Sequence, residues 1–266
     1  MTGPEARVVQ VNGHSARVWE MGHGPKIGYL GGLVGVPRWT PFLDALAEHY
    51  RVVVPALPGF PGSRDYEHLD SVHDWTTATL DLIEAAGLSG ADFAASSVGA
   101  MLALEVAAVS PASLGRLGLM APLGLHLDAM PIPHIWARRS VDMAALMCSN
   151  TDALASLQRA PEDEDAVEWN LMVSRANAAS ARLLWPMCEL GLAKRLHRVR
   201  QPVLLLWGTH DCITPPGYAE EFASRMPGPV EITKVRGAGH LLDIDAPNPV
   251  ANQIHSYMQN KRNRTE

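Results

Sequence analysis

Hydrophobic positions along this chain follow two patterns, short apolar runs that are typical of strands and three-and-four spacings that are typical of helices. Residues 7–11 and 16–21 alternate between apolar and polar and flank Asn12-Gly13, which predicts an opening β-hairpin. Continuous apolar runs predict further strands at residues 27–30, 51–54, 92–95, 116–120 and 203–207, and residues 231–235 are the expected last strand. Such runs are typical of strands buried on both faces of a parallel sheet.

Helical spacing appears between these runs. It predicts helices at residues 39–49, 72–86, 98–109, 216–225 and 249–260. Strands that alternate with helices indicate an α/β fold with a mostly parallel sheet. Residues 123–198 break the alternation and are helical in pattern throughout, apart from Met130-Pro131-Ile132-Pro133 near their start, which predicts a rigid turn or an extended segment. We therefore expect a core of residues 1–122 and 199–266 that carries a helical insertion, residues 123–198.

Composition restricts the classes of partner. The 266 residues suit one large domain, and 47% hydrophobic with 19% charged residues is a globular composition. The net charge of −6 does not favour nucleic acid or an anionic membrane surface. The chain contains no uninterrupted apolar run of membrane-spanning length, and residues 1–10 do not resemble a signal peptide. Three widely spaced cysteines indicate neither a metal site nor a disulfide framework, so we expect a cytoplasmic protein. The sequence does not decide whether the protein is a monomer or a homodimer.

The stretch A-S-S-V-G-A, residues 95–100, lies where a predicted strand meets a predicted helix. A nucleophile held on such a sharp turn needs small residues two positions before and two after it. Ser96 would place the β-branched Val98 at one of these positions, whereas Ser97 places Ala95 and Gly99 there. Ser97 is therefore the better candidate nucleophile. The alternative is a serine that only caps the helix.

A-S-S-V-G resembles the nucleophile elbow G-x-S-x-G of the α/β-hydrolase superfamily, with Ala95 in place of the first glycine. Gly-Thr-His-Asp at 208–211 and Gly-Ala-Gly-His at 237–240 resemble the acid and histidine loops of that superfamily, each just after a predicted strand. The order Ser97, Asp211, His240 is also the order of the family. The resemblance implies an α/β-hydrolase fold in which these residues act as nucleophile, acid and base.

Three neighbouring residues are weaker candidates for those roles. His210 is an alternative base, but adjacent residues on a loop generally diverge, and His210 is next to Asp211. Asp243 and Asp245 are close to His240 in sequence, so we expect them to cap or solvate the following helix.

The resemblance also implies an oxyanion hole, formed by the backbone N–H groups of Val98 and Leu33. Leu33 lies in the loop G-G-L-V-G, residues 31–35, whose glycines alternatively serve only a tight turn. Gly31 stands where relatives often have histidine, and Ala56 stands where the family motif D-x-P-G-x-G-x-S has aspartate. Our hypothesis is that the two missing side chains interact in relatives and were lost together, which requires positions 31 and 56 to be neighbours.

The implied reaction is acyl transfer through Ser97, with neither a cofactor nor a metal. The helical insertion resembles a lid, and its Met, Leu and Trp residues predict an apolar site for a small-molecule substrate. The expected pocket residues are Gly32, Leu123, Trp136, Trp185 and Leu241. The alternative for each of the large side chains is that it only packs the insertion onto the core.

Four functions fit these residues. An esterase or lactonase acting on apolar carboxylic esters is our first expectation. A carbon–carbon bond hydrolase for vinylogous diketones is second, because such relatives typically carry tryptophan after the histidine where this chain has Leu241. A thioesterase or acyl transferase is third, and a non-hydrolytic ligand-binding protein that keeps the fold is fourth. Arg138, Arg139 and Arg175 are candidates for binding a substrate carboxylate.

Overall fold

A computed structural model of the chain describes residues 3–185, 187 and 189–262. Its eight strands form one sheet in the order β1-β2-β4-β3-β5-β6-β7-β8. The first two strands pair antiparallel, β2 also pairs antiparallel with β4, and all later pairs are parallel. The strands are β1 (Glu5–Val11), β2 (His14–Met21), β3 (Lys26–Leu30), β4 (Arg51–Pro55), β5 (Asp92–Ser96), β6 (Leu117–Met120), β7 (Val203–Gly208) and β8 (Val230–Val235). Every predicted strand is present, which confirms the α/β fold.

The helices lie along the chain between and after the strands. They are α1 (Pro41–Ala47), α2 (Val72–Ala85), α3 (Ser97–Val109), α4 (Ser140–Met147), α5 (Thr151–Gln158), α6 (Ala166–Leu184), α7 (Gly217–Arg225), α8 (Leu242–Asp245) and α9 (Pro247–Arg262). The central helix α3 is almost wholly buried, in keeping with its continuous apolar sequence. None of the helices in the described ranges is both long and apolar enough to cross a bilayer.

The insertion departs from its prediction at the start. Residues 123–134 contain no helix, which confirms the turn or extended segment expected at 130–133 and shows that the helical expectation for 123–129 was wrong. The cause is local: Pro131 and Pro133 lack the N–H that a helix interior needs, and Gly124 has a φ of 102°. Helices α4, α5 and α6 then follow, so the insertion lies between β6 and β7.

The insertion is fastened to the core by buried polar contacts. Ser180 of α6 donates from Oγ to the backbone carbonyl of Leu33 at 3.0 Å. Arg182 donates to the backbone carbonyl of Leu69 at 3.0 Å. Closer to the end of the insertion, Arg195 forms two hydrogen bonds of 2.6 Å with the carboxylate of Glu105, which is buried in α3. The last part of the insertion is therefore held against the core, including the loop of Leu33 and helix α3.

The cysteines of the described chain are unpaired. Cys148 is buried and Cys212 is exposed, and neither forms a disulfide. The remaining cysteine, Cys188, lies outside the described residues.

Candidate active site

Ser97 lies at the sharp turn between β5 and α3. Its φ of 51° is left-handed, a conformation that is costly for any residue with a Cβ. A Cβ placed on Gly99 would lie 2.5 Å from the carbonyl oxygens of Leu30 and Gly31, so only glycine fits there. The requirement for a small residue two positions after the nucleophile thus has a direct steric cause: α3 starts against the backbone that follows β3.

A continuous hydrogen-bonded chain connects three buried side chains. Ser97 Oγ lies 2.7 Å from His240 Nε2, and His240 Nδ1 lies 2.9 Å from Asp211 Oδ2. An ionised carboxylate can only accept, so Nδ1 carries the proton and Nε2 presents its lone pair to the serine hydroxyl. Ser97 and His240 have no exposed surface. The geometry is that of a nucleophile, a base and an acid in series.

The helix-capping alternative for these serines does not match the contacts. Ser97 directs its hydroxyl to His240 rather than to the start of α3. Ser96 occupies the N-cap position of α3 but makes no side-chain capping bond.

The carboxylate of Asp211 is held by its own loop. Oδ1 accepts the backbone N–H groups of Ile213 at 2.8 Å and Thr214 at 2.9 Å, and Oδ2 accepts the Thr214 hydroxyl at 3.0 Å. Thr214 Oγ1 also lies 3.2 Å from His240 Nδ1. Sequence reasoning missed Thr214, although the spacing Asp-x-x-Thr suggests a carboxylate that caps the turn following it.

The acid loop and the histidine loop meet because Gly208 has no side chain. A Cβ on Gly208 would lie 2.2 Å from the carbonyl oxygen of Gly239. The two loops are joined by the His210 N–H, which donates to the Ala238 carbonyl at 2.9 Å. The His210 side chain is exposed, so it points away from the buried Asp211.

The predicted oxyanion loop passes beside the nucleophile. Gly35 N–H donates to the Gly32 carbonyl at 2.9 Å, which closes a turn with Leu33 at its corner. A Cβ on Gly32 would lie 3.3 Å from Ser97 Cβ. Val98 occupies the first turn of α3, where a helix leaves backbone N–H groups without an intrahelical partner. The oxyanion role of Leu33 and Val98 stays a prediction.

Gly31 and Ala56 are neighbours. Both line one small cavity of about 10 Å³ together with Arg17. Burial lowers the pKa of the Arg17 guanidinium to about 10. The hypothesis that a histidine and an aspartate were lost together needs these positions to be adjacent, and they are.

The predicted pocket residues divide into two groups. Leu123 donates its backbone N–H to the Ser97 carbonyl at 3.4 Å. Leu241 packs beside Gly32, with its Cδ2 3.0 Å from a Cβ placed there. Trp136 is partly buried against the core in a short 3-10 helix. Trp185, by contrast, is 54% exposed and packs its ring on His134, so the structure does not place it against the buried Ser97.

The two aspartates after His240 have different surroundings from those expected. The carboxylate of Asp243 accepts the Tyr29 hydroxyl at 2.7 Å and the Ser96 hydroxyl at 2.9 Å, so it does not cap or solvate the following helix. Part of the residue is exposed, but its carboxyl group faces inward, and burial raises the pKa of that carboxyl. Burial, and then the charge of Asp243, raise the pKa of Tyr29 well above its ordinary value.

Asp245 caps backbone groups rather than a helix that follows it. Its carboxylate accepts the N–H groups of Gly239 at 2.6 Å, Ser149 at 3.0 Å and Asn150 at 2.8 Å. It therefore joins the histidine loop to the insertion between α4 and α5.

A mostly parallel eight-stranded sheet, with Ser97, Asp211 and His240 joined at the carboxyl ends of β5, β7 and β8, defines the class of α/β hydrolases. The chain belongs to the alpha/beta hydrolase family, which it matches over residues 9–253.

Among curated relatives, the chain is similar to the dihydrolipoyllysine-residue acetyltransferase component of an acetoin cleaving system from Pseudomonas putida. The identity is 24%, over 97% of this chain and 70% of that protein. It is 28% identical to a 2-hydroxy-6-oxo-6-phenylhexa-2,4-dienoate hydrolase from Comamonas testosteroni, over 74% of each chain. Among solved structures, naproxen esterase from Bacillus subtilis superposes with a TM-score of 0.76 at 17% identity, covering 96% of this chain and 91% of that one. That last likeness shows the fold alone.

Proposed function

We propose that this protein is a serine hydrolase that cleaves a carboxylic ester or lactone with an apolar group through an acyl-enzyme intermediate. The observation that carries the proposal is the buried chain of hydrogen bonds from Ser97 through His240 to Asp211, on a turn with a φ of 51° at Ser97. A serine hydroxyl is a poor nucleophile at neutral pH, and this chain is the arrangement that activates one.

The reaction has two steps. His240 Nε2 takes the Ser97 proton while Oγ attacks the carbonyl carbon, and the same nitrogen then gives that proton to the departing alcohol. A water molecule next gives a proton to His240 and attacks the acyl-enzyme, which releases the acid and returns the proton to Ser97. Asp211 stabilises the imidazolium in both steps, and the N–H groups of Leu33 and Val98 stabilise the oxyanion.

The surroundings of Ser97 support an apolar substrate group. Leu123 and Leu241 are buried next to the nucleophile turn, and Leu241 N–H binds the Met147 carbonyl at 2.9 Å. Because Leu123, Met147 and Ser180 of the insertion bond to Ser97, Leu241 and Leu33, we propose that residues 123–198 act as a lid over Ser97. A cytoplasmic location, in keeping with the unpaired Cys148 and Cys212, is part of the same proposal.

The second candidate is hydrolysis of a carbon–carbon bond in a dienoate, which the likeness to the Comamonas testosteroni protein favours. Such a substrate carries a carboxylate that calls for a cationic partner. Arg138 and Arg139 are exposed, and Arg139 is paired with Asp142 at 2.8 Å. Arg175 lines a surface groove beside Glu168. None of the three has its charge directed into the buried site, so the ester reaction is the better supported of the two.

The test is a substrate panel of aryl esters with acyl chains of increasing length, lactones, an acyl thioester and 2-hydroxy-6-oxo-6-phenylhexa-2,4-dienoate. We expect ester turnover that rises with chain length and falls at least a thousandfold in Ser97→Ala. Ser110→Ala is the matched control, because Ser110 lies at the opposite end of α3, where its hydroxyl is 2.7 Å from the Ser113 hydroxyl. Turnover of the dienoate alone would favour the second candidate. Ester turnover undiminished in Ser97→Ala would refute both.

A further inference from the structure

A second carboxylate lies beside the nucleophile turn, and the mechanism above does not use it. Asp243 Oδ2 accepts the hydroxyl of Tyr29 on β3, and Oδ1 accepts the hydroxyl of Ser96 at the end of β5. Both donors are buried, and Ser96 immediately precedes the nucleophile. Asp243 itself lies three residues after His240, at the start of α8. One carboxylate thus connects β3, the nucleophile turn and the histidine loop.

We propose that Asp243 is a positioning residue for the reaction. Its hydrogen bonds to Ser96 and Tyr29 hold His240 at hydrogen-bonding distance from Ser97, and its negative charge stabilises the protonated form of His240. The proposal rests on the proposed function, since it concerns the step in which His240 accepts the Ser97 proton.

The hydrogen-bond pattern requires an acceptor at this position. Two hydroxyls converge on the two oxygens of one side chain, and an ionised carboxylate accepts both without reorientation. Burial alone would favour the neutral acid and raises its pKa, whereas the bonds from Tyr29 and Ser96 and the positive charge of His240 favour the ionised form. The positive charge of a protonated His240 therefore stabilises the ionised form of Asp243. By reciprocity, the negative charge of Asp243 stabilises the protonated form of His240.

In the described part of the chain, hydrogen bonds and charges identify the groups around this pair. His240 meets Ser97 on one side and Asp211 with Thr214 on the other. Asp243 accepts hydrogen bonds from Tyr29 and Ser96. Its charge also acts on the thiol of Cys148, which follows the end of α4. Burial and the charges of Asp245 and Asp243 raise the pKa of the Cys148 thiol, so it stays neutral.

The position of Asp243 also explains why Ser96 is a serine. Its hydroxyl makes no helix cap and instead binds Asp243. A Cβ placed on Gly32 would lie 3.2 Å from Ser96 Oγ, so the same hydroxyl borders the predicted oxyanion loop. The nucleophile turn is therefore fixed on both sides of Ser97: its hydroxyl binds His240, and the preceding hydroxyl binds Asp243 of the same loop.

The decisive variant is Asp243→Asn, which keeps the shape of the side chain but removes its charge and one of its two acceptor oxygens. Without that charge His240 is protonated less readily, so we expect the acidic limb of the kcat/KM profile to move to lower pH by about 1 unit. The plateau should fall about tenfold, with the loss in kcat rather than in KM, since the missing support acts when the imidazolium forms. Asp92→Asn is the matched control, because Asp92 is a carboxylate at the opposite end of β5 that pairs with Arg116.

Rates are to be normalised to the Ser97 sites that react with a fluorophosphonate, which separates a catalytic effect from loss of folded protein. An acidic limb that coincides with the wild-type limb, or one that moves equally in Asp92→Asn, overturns the proposal. A wild-type protein that does not react at Ser97 contradicts the proposed function instead, before Asp243 is tested at all.

Ser96→Ala provides an independent test if Asp243→Asn does not fold. The substitution removes one hydrogen-bond donor to Asp243. It leaves the helix cap unchanged, because Ser96 makes no side-chain capping bond, and it leaves the hydrogen bond of Ser97 to His240 in place. We expect phosphonylation of Ser97 to be about fivefold slower, in line with the loss of one hydrogen bond to a charged group. Reaction at the wild-type rate contradicts the positioning role.

Discussion

At the scale of single residues, the site depends on the hydrogen bonds that stabilise the buried carboxylate of Asp211. Asp211 accepts bonds from two backbone N–H groups, a hydroxyl and an imidazole, so its buried charge is stabilised on both oxygens. A buried carboxylate is tolerated only with such partners. The orientation of His240 therefore follows from the loop of residues 211–214, which holds the acid in one place.

Asp211→Asn tests the role of the acid. Asparagine can present its NH₂ group to His240 Nδ1, which favours the wrong tautomer of the ring, so we expect kcat to fall about ten-thousandfold. Thr214→Val should cost far less, about tenfold, because Asp211 keeps its two backbone donors. Steady-state hydrolysis of an aryl ester measures both. Equal losses in the two variants would contradict the assignment of Asp211 as the acid.

A linked effect of pH on stability is expected at Asp243. Because burial raises its pKa, the folded protein holds this proton more tightly than the unfolded chain does. The contribution of this proton to the free energy of unfolding is fully present below the ordinary pKa of aspartate. It is lost as the pH rises through the raised pKa of the folded protein. The melting temperature of Asp243→Asn, relative to that of wild type, should therefore be higher at neutral pH than near pH 4. Thermal unfolding across pH measures this difference, and a difference that does not change with pH would contradict the expectation.

At the scale of elements, close backbone approaches build the site. α3 starts against the backbone after β3 at Gly99, and the end of β7 crosses the histidine loop at Gly208. The order of strands brings the carboxyl ends of β5, β7 and β8 to the same edge of the sheet. These contacts explain why residues 97, 211 and 240, far apart in sequence, form one hydrogen-bonded chain.

Gly99→Ala tests the first of these approaches. The added Cβ meets two backbone carbonyl oxygens that cannot move aside, so we expect the free energy of unfolding to fall by about 3 kcal/mol. Gly3→Ala is the control, because a Cβ there meets nothing within 4 Å. Urea titration measures both variants. Loss of less than about 0.5 kcal/mol in Gly99→Ala would show that the turn is not closely packed.

The contacts of α6 lead to a prediction about the insertion. Ser180→Ala removes the hydroxyl that satisfies the buried Leu33 carbonyl, which costs about 1–3 kcal/mol where no other donor replaces it. Amide hydrogens of α6 should then exchange about tenfold faster. Ser224→Ala on α7, whose hydroxyl binds only within its own helix, is the control for hydrogen exchange read by mass spectrometry. Unchanged exchange in α6 would mean that this contact does not hold the insertion.

The sequence predicted the elements better than their side-chain contacts. Apolar-polar alternation located β1 and β2, and short apolar runs located the buried strands of the parallel part of the sheet, so local signals found all eight strands. The G-x-S-x-G-like elbow and the two loops after strands led to Ser97, Asp211 and His240, which the structure brings together. Asp243 was misjudged because its partners, Tyr29 and Ser96, are distant in sequence, and only the folded sheet makes them neighbours. The helical pattern failed only at residues 123–129, where Gly124 has a φ of 102° and the chain leads into the prolines at 131 and 133.

At the scale of the whole molecule, the reactive groups are buried. Ser97 and His240 have no exposed surface, so the proposed reaction requires a path to open for the substrate. The insertion is held to the core at Leu33, at Leu69 and at Glu105 of α3. Reactivity of Ser97 therefore reports both the chemistry of the triad and the opening of the path.

The most direct measurement is covalent labelling of the intact protein by a small fluorophosphonate, with the adduct located by peptide mass spectrometry. We expect one adduct, on Ser97, that disappears in both Ser97→Ala and His240→Ala and persists in Ser110→Ala. This result would establish a serine activated by His240, as the hydrogen bond of 2.7 Å between Oγ and Nε2 requires. An adduct on Ser96, or no adduct under conditions that label a known serine hydrolase, would contradict the central claim.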